Sequence, residues 1–229
     1  MTTRRGLLTV GLLAGLGGLE PVTACASQEA AGKDAPDKDG WRPLWDGATL
    51  TGWKKTEFRS GGEFRVEKSF RGGGSAIVLD KGRSLSGFNW TKEVPKNDYE
   101  LSLEAMKVEG SDFFCGLTFP VGASHATLIL GGWGGGLVGV SSIDDSDASE
   151  NATTKFMDFA KDQWYKIRLR VTSAKIEAWV DDKPIVDADI AGKKISLRPG
   201  DIYLSIPLGI ATYQTAAAYR AIRIRSLKK

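Results

Sequence analysis

Tyr99-Glu100-Leu101-Ser102-Leu103-Glu104-Ala105 is the stretch that decides the fold class. Tyr99, Leu101 and Leu103 fall on one face and Glu100, Ser102 and Glu104 on the other, because successive side chains of an extended chain point to opposite sides. A helix would need apolar residues recurring near every 3.6 positions. Outward from this stretch the period of two recurs. It sets Tyr165, Ile167, Leu169 and Val171 against Lys166, Arg168 and Arg170. It also sets Ile176, Ala178 and Val180 against Lys175, Glu177 and Trp179, and Ile222 and Ile224 against Arg223 and Arg225. Further strands are expected at Phe64 to Val66, Ala76 to Leu79, Asp112 to Phe119, Thr127 to Leu130, Leu137 to Val140 and Ile202 to Ile206, separated by Gly, Asp, Asn and Pro. No long amphipathic helix is legible, and residues 151–159 have room for one turn. Many short two-faced strands without a fixed internal repeat predict an all-β, two-sheet antiparallel sandwich rather than a propeller.

Composition agrees. The 229 residues are 41% hydrophobic and 26% charged, and 28 glycines make about 12% of the chain against a usual ~7%. Such a chain is rich in turns. Lys+Arg 31 against Asp+Glu 28 leaves a formal charge of +3, too little for a phosphate-binding footprint, so no nucleic-acid partner is expected. Two cysteines and one histidine exclude a Cys/His zinc site and a disulfide scaffold.

The first 40 residues read as an address and a spacer. Arg4-Arg5 precedes a short apolar run ending at Leu19, the layout of a twin-arginine export signal. Val22-Thr23-Ala24-Cys25 is similar to a bacterial lipobox, in which cleavage before Cys25 frees its thiol for a lipid. Residues 1–24 are therefore expected to be removed, and residues 25–40 to form a flexible tether. Residues 41–229 form the domain, exported to the bacterial cell envelope or periplasm and meeting a membrane only through the lipid on Cys25. Cys115, the remaining cysteine, is expected to be buried.

Four blocks carry a resemblance. Residues 41–53, with Leu44-Trp45-Asp46-Gly47-Ala48-Thr49-Leu50-Thr51-Gly52-Trp53, are similar to the opening of the 3-keto-disaccharide hydrolase family. Asp98 to Glu104 resembles a strand of that family. Gln163 to Ile167 with Trp179 to Asp182 resembles a hairpin of it, and Tyr219 to Ile224 its closing strand. The resemblance implies a concanavalin A-like jelly roll that acts on 3-keto-sugars. The ketone acidifies the C2 proton of such a sugar, a base removes it, and the C1 substituent leaves. Departures from the family pattern fall where the chemistry would be. Phe114 stands for a polar Asn, Pro120 for an Arg, and the stretch His125 to Gly131 lacks the family's Glu, Gln and Asp. The implied activity is cleavage of 3-keto-glycosides; the alternative is a carbohydrate-binding module without catalysis.

Candidate site residues follow from residue chemistry. Asp112 and His125, the lone histidine, are the available acid–base groups. Strand alternation puts Asp112, Phe114, Gly116 and Thr118 on one face, where Phe114 and Thr118 would line a sugar groove. Trp133, inside Gly131-Gly132-Trp133-Gly134-Gly135-Gly136, reads either as a sugar-stacking platform or as a packed corner of a hairpin. Asp144, Asp145 and Asp147 read either as a solvated turn or as ligands for a divalent cation, Ca²⁺ or Mn²⁺. Glu100 and Glu104, about 13 Å apart by strand rise, are too far apart for a glycosidase pair and read as a solvated face.

Overall fold

A computed structural model of the chain describes residue 2 and residues 35–228. Arg4-Arg5, the lipobox-like Val22 to Cys25 and the tether as far as residue 34 lie outside the described residues. Residues 37–40 form a turn in which the Asp37 carboxylate accepts hydrogen bonds from the N–H groups of Asp39 and Trp41, both at 2.9 Å.

Alternation at residues 99–105 becomes part of the strand at the middle of the larger sheet. In chain order the described strands are β1 Arg42–Pro43, β2 Trp53–Lys55, β3 Phe64–Glu67, β4 Ala76–Leu79, β5 Leu85–Trp90, β6 Tyr99–Glu109, β7 Cys115–Val121 and β8 Ser124–Gly131. There follow β9 Leu137–Ser141, β10 Lys155–Phe156, β11 Trp164–Val171, β12 Lys175–Val180, β13 Lys183–Asp189, β14 Gly209–Tyr213 and β15 Ala216–Ser226. One sheet runs β13-β12-β11-β6-β15-β4-β3, with β1 also on β15; the other runs β10-β9-β8-β7-β14-β5-β2. All of these pairings are antiparallel. The protein is an all-β, two-sheet antiparallel sandwich of the jelly-roll kind.

The apolar halves of the alternating strands meet between the sheets. Leu101, Leu103, Ile167, Leu169, Ile176 and Val180 of the larger sheet join Phe88, Cys115, Leu117, Phe119, Leu128 and Ile210 of the smaller in one core, each at most 2% exposed. Tyr99 and Tyr219 put hydroxyls into this core and satisfy them across it, donating to the carbonyls of Pro120 (2.7 Å) and Phe114 (2.6 Å). Burial holds both phenols well above their usual pKa. Cys115 is buried as expected, and burial pushes its thiol up to about 12.

Three expectations about local structure are corrected. Ile202 to Ile206 is not a strand. Gly200, at φ +128°, turns the chain, and Asp201–Ser205 winds into a 3₁₀ turn. No helical turn forms over residues 151–159, which instead hold the two-residue strand β10. The strand expected from Asp112 begins only at Cys115, so strand parity does not extend back to Phe114. The Asp112 carboxylate accepts a hydrogen bond from the Phe113 N–H at 2.7 Å, a side-chain-to-backbone bond of the kind that competes with strand pairing.

The outward face of the larger sheet is also unlike its expectation. Glu100 is not solvated. Its side chain has no exposed surface and lies among Arg168, Arg170 and Arg225. Indole rings roof the arginines, with the Arg168 guanidinium 3.7 Å from the Trp179 ring and those of Arg223 and Arg225 4.7 and 4.6 Å from Trp41. Glu104, the other carboxylate of this strand face, accepts from the Arg220 Nε at 2.6 Å.

Candidate functional site

The outer face of the smaller sheet is built in rows, one residue per strand. Gly139, Ile129, Gly116, Ala211 and Gly87 are successive register partners across β9, β8, β7, β14 and β5. Directly opposed residues share a face. The glycines leave room for segments that cross this face. A Cβ on Gly116 would sit 2.9 Å from the Phe113 ring, and one on Gly87 would sit 2.8 Å from the Phe58 ring. The neighbouring row, Ser141, Thr127, Thr118, Gly209 and Asn89, is polar and buried. Over it passes the segment from Arg198 to Ile206, held where the Asn89 side-chain amide donates to the carbonyls of Leu204 (2.5 Å) and Ile206 (3.4 Å).

Between this segment and the sheet lies a cavity of about 360 Å³. Its floor is Thr127 and Ile129 of β8 and Ser141 of β9. Leu85, Phe113 and Tyr213 form an apolar side, and Pro199, Gly200, Asp201 and Ile202 come from the crossing segment. Trp133, Asp112 and Arg198 complete the lining. The volume falls in the range of small-molecule sites.

Trp133 stands in the turn between β8 and β9. Gly131, Gly134 and Gly135 there have φ of +79°, +89° and +111°, and Trp133 itself has φ +48°. Three glycines adopt these angles without a Cβ clash, whereas a bulky residue in the left-handed region costs about 1 kcal/mol or more. The result is an indole 45% exposed beside the cavity, with the Arg198 guanidinium 5.4 Å from its ring. Arg198 also pairs with Asp147 at 2.8 Å, which fixes it beside the indole.

The other expected site residues divide. Asp112 lines the cavity, and its second carboxylate oxygen accepts from the Gly134 N–H at 3.4 Å, so the residue also steadies the Trp133 turn. His125 lies on the same sheet face but pairs with Pro120, four residues along β8 from Ile129, roughly 13 Å by strand rise, and does not line the cavity. Burial first, and then the positive charge of Lys96, lower its pKa, so its imidazole is neutral at pH 7. The groove-lining reading of Phe114 and Thr118 is corrected. Both side chains have no exposed surface, Phe114 lying among Phe159 and Tyr165 and Thr118 sharing a 2.9 Å hydroxyl–hydroxyl bond with Thr127.

Asp144, Asp145 and Asp147 do not converge. Asp144 holds Lys193 (3.2 Å) and the Lys194 N–H (2.9 Å), Asp145 holds the Lys194 ammonium, and Asp147 takes Arg198 and the Ser141 hydroxyl. With three different cationic partners these carboxylates do not fit a Ca²⁺ or Mn²⁺ site. Among the described residues no group of three or more His, Cys, Asp or Glu side chains is placed to hold a metal. Arg198, Asp201 and Tyr213 were not anticipated as site residues. Tyr213 arrives through its register with Leu85, and Arg198 and Asp201 arrive on the segment that crosses the sheet, neither of which the order of residues displays.

Comparison with solved structures finds the same fold in proteins of low sequence identity. A carbohydrate-binding module from Bacillus subtilis is similar at TM-score 0.51 and 13% identity, covering 76% of this chain and 96% of that one. The Crh5 transglycosylase in complex with NAG is similar at TM-score 0.53 and 7% identity, covering 86% of this chain and 87% of that one. At such identities the likeness is one of fold. No curated protein sequence matches the chain. The family model of the 3-keto-alpha-glucoside-1,2-lyase-like domain matches residues 40–225, nearly the whole of the described sandwich, and the chain belongs to that carbohydrate-related family.

Proposed function

We propose that this protein binds a saccharide in the cavity beside Trp133. The observation that carries the reading is an exposed indole on the lining of a cavity, presented by a glycine-rich turn with the Arg198 guanidinium beside it. Pyranose C–H faces pack on flat aromatic surfaces, and Arg198 and Asp201 offer a donor and an acceptor for hydroxyls beside it. The similar carbohydrate-binding module and family membership support the same reading. Trp133→Ala is expected to weaken binding of a 3-keto-disaccharide by about 1 kcal/mol or more, roughly fivefold in Kd, while the melting temperature stays nearly unchanged. Titration calorimetry with parallel thermal melts checks both. A collapse of the melting temperature would return the indole to a structural role.

A second reading, cleavage of a 3-keto-glycoside, is favoured by the two carboxylates Asp112 and Asp201 on the cavity lining. In this reading one of them takes the C2 proton acidified by the ketone, the C2 electrons form the double bond to C1, and the C1 substituent leaves with its bonding pair and takes up the proton that the carboxyl has just gained. No metal-dependent step is invoked, because the acidic side chains near the cavity do not gather. Asp112→Asn and Asp201→Asn separate the readings: turnover of a 3-keto-disaccharide that disappears in either variant while binding persists supports cleavage. Binding without turnover in the unmodified protein rejects it.

We also propose that the chain is exported and lipid-anchored at Cys25, on the strength of the Arg4-Arg5 pair and Val22 to Cys25. Intact-mass analysis of the membrane fraction should find a chain beginning at a lipidated Cys25. A chain retaining Met1, or a soluble one beginning elsewhere, refutes this.

A further inference from the structure

The saccharide reading accounts for one side of the cavity and leaves the other unexplained. Phe113 and Tyr213 stack there with ring centroids 6.1 Å apart and planes 29° from parallel. Leu85 and Ile129 adjoin them, and Ile202 and Pro199 are supplied by the crossing segment. The rings are built in rather than incidental. Gly116 has no side chain because the Phe113 ring occupies the place of its Cβ, and Tyr213 is held at the end of β14 by pairing with Leu85, its own N–H donating to the Phe113 carbonyl at 3.1 Å. Tyr213 is still 36% exposed.

This side offers little to a hydroxyl-covered ring. The polar side chains of the floor are already engaged, Thr127 with Thr118 at 2.9 Å and Ser141 donating to Asp147 at 2.7 Å. Both Asp112 oxygens accept backbone N–H groups. A second sugar placed there would lose water from its hydroxyls with few partners to replace it, and each polar group left unpaired weakens binding. A flat apolar group would lose nothing of the kind and would gain contact with two aromatic rings. The charged group Arg198 sits with the indole.

We infer that the ligand is a glycoside carrying an aryl aglycone, with the sugar against Trp133 and the aryl group on the Phe113–Tyr213 shelf. The inference rests on the saccharide reading for the sugar half and on the shelf for the other half. The test titrates the full chain with phenyl 3-keto-α-glucoside, methyl 3-keto-α-glucoside and phenol. The phenyl glycoside is expected to bind at least tenfold more tightly than the methyl glycoside. Tyr213→Ala is expected to remove that ratio, and Tyr213→Leu, which keeps bulk but not flatness, should remove most of it. Thermal melts of both variants report on folding. Equal affinity for the two glycosides overturns the aryl assignment and leaves the saccharide reading intact. Phenol bound in competition with neither glycoside overturns the joint site, and failure of the phenyl glycoside to bind overturns it as well.

Discussion

Phe114→Ala is expected to cost about 3 to 5 kcal/mol of stability, the range for emptying a buried aromatic site. Phe114 has no exposed surface, and its ring meets Phe159 at 5.0 Å between centroids and Tyr165 at 6.1 Å. A Cβ on Gly131 would lie only 3.2 Å from the same ring, so the turn that carries Trp133 rests on Phe114. Its truncation would remove support from that turn as well as from the core. For a domain of this size each kcal/mol corresponds to roughly 2 to 4 °C of melting temperature, so the loss should reach about 6 °C or more. Denaturant unfolding of the variant measures it. A near-normal Phe114→Ala protein that has lost ligand binding would place this ring in the site, and the core assignment would be wrong.

A comparable loss is expected at Glu100. Its fully buried side chain accepts hydrogen bonds from the Nε of Arg170 (2.7 Å) and of Arg225 (2.6 Å), with the Arg168 Nη1 at 3.3 Å. Glu100→Ala would leave three guanidinium groups facing one another with only Glu177, 3.4 Å from the Arg170 Nη1, as a remaining counter-charge, and losing the buried partner of such a pair costs about 3 to 5 kcal/mol. The arginine side chains are 24 to 34% exposed, so water relieves part of the repulsion and the low end, about 3 kcal/mol, is expected. Acid has a related effect. Burial raises the pKa of Glu100, but hydrogen bonds from Arg170 and Arg225 and the charges of both outweigh it, and the carboxyl sits below its usual value. A depressed carboxylate stabilises the fold above its unfolded pKa, near 4.3, and the contribution fades as pH falls through the folded value. The stability gap between the unmodified protein and Glu100→Gln should therefore be full at pH 7 and shrink steadily below about pH 4. A gap that does not change with pH would remove Glu100 as the electrostatic centre of this face.

Much of the sandwich was legible because each half-buried strand repeats one local rule. Residues 99–105, 165–171 and 175–180 alternate cleanly and pair with one another as β6, β11 and β12. The rule failed where a residue's surroundings come from elsewhere in the chain. Alternation correctly put Glu100 on the outward face, yet that face carries a layer of arginine and tryptophan that no single strand reveals. At Phe114 the strand pattern was continued three residues too far back, across a turn set by Asp112, and the ring was assigned to the wrong side. Ile202 to Ile206 has strand-like composition but crosses a sheet instead of joining it. Trp133 was legible for a local reason: a bulky ring among glycines has few neighbours of its own with which to bury itself. Its companions Arg198, Asp201 and Tyr213 lie 65 or more residues downstream and meet it only through tertiary packing.

The central claim is that the saccharide lies beside Trp133, and the seven tryptophans of the chain allow a direct test. Each indole N–H gives its own resonance in a ¹⁵N-correlated NMR spectrum, and Trp133→Ala identifies the one that matters. During titration with a 3-keto-disaccharide the Trp133 indole signal should move progressively. The signals of Trp41, Trp164 and Trp179, whose rings lie against arginines of the opposite sheet, should stay in place. Saturable movement of those three with Trp133 unmoved would contradict the account.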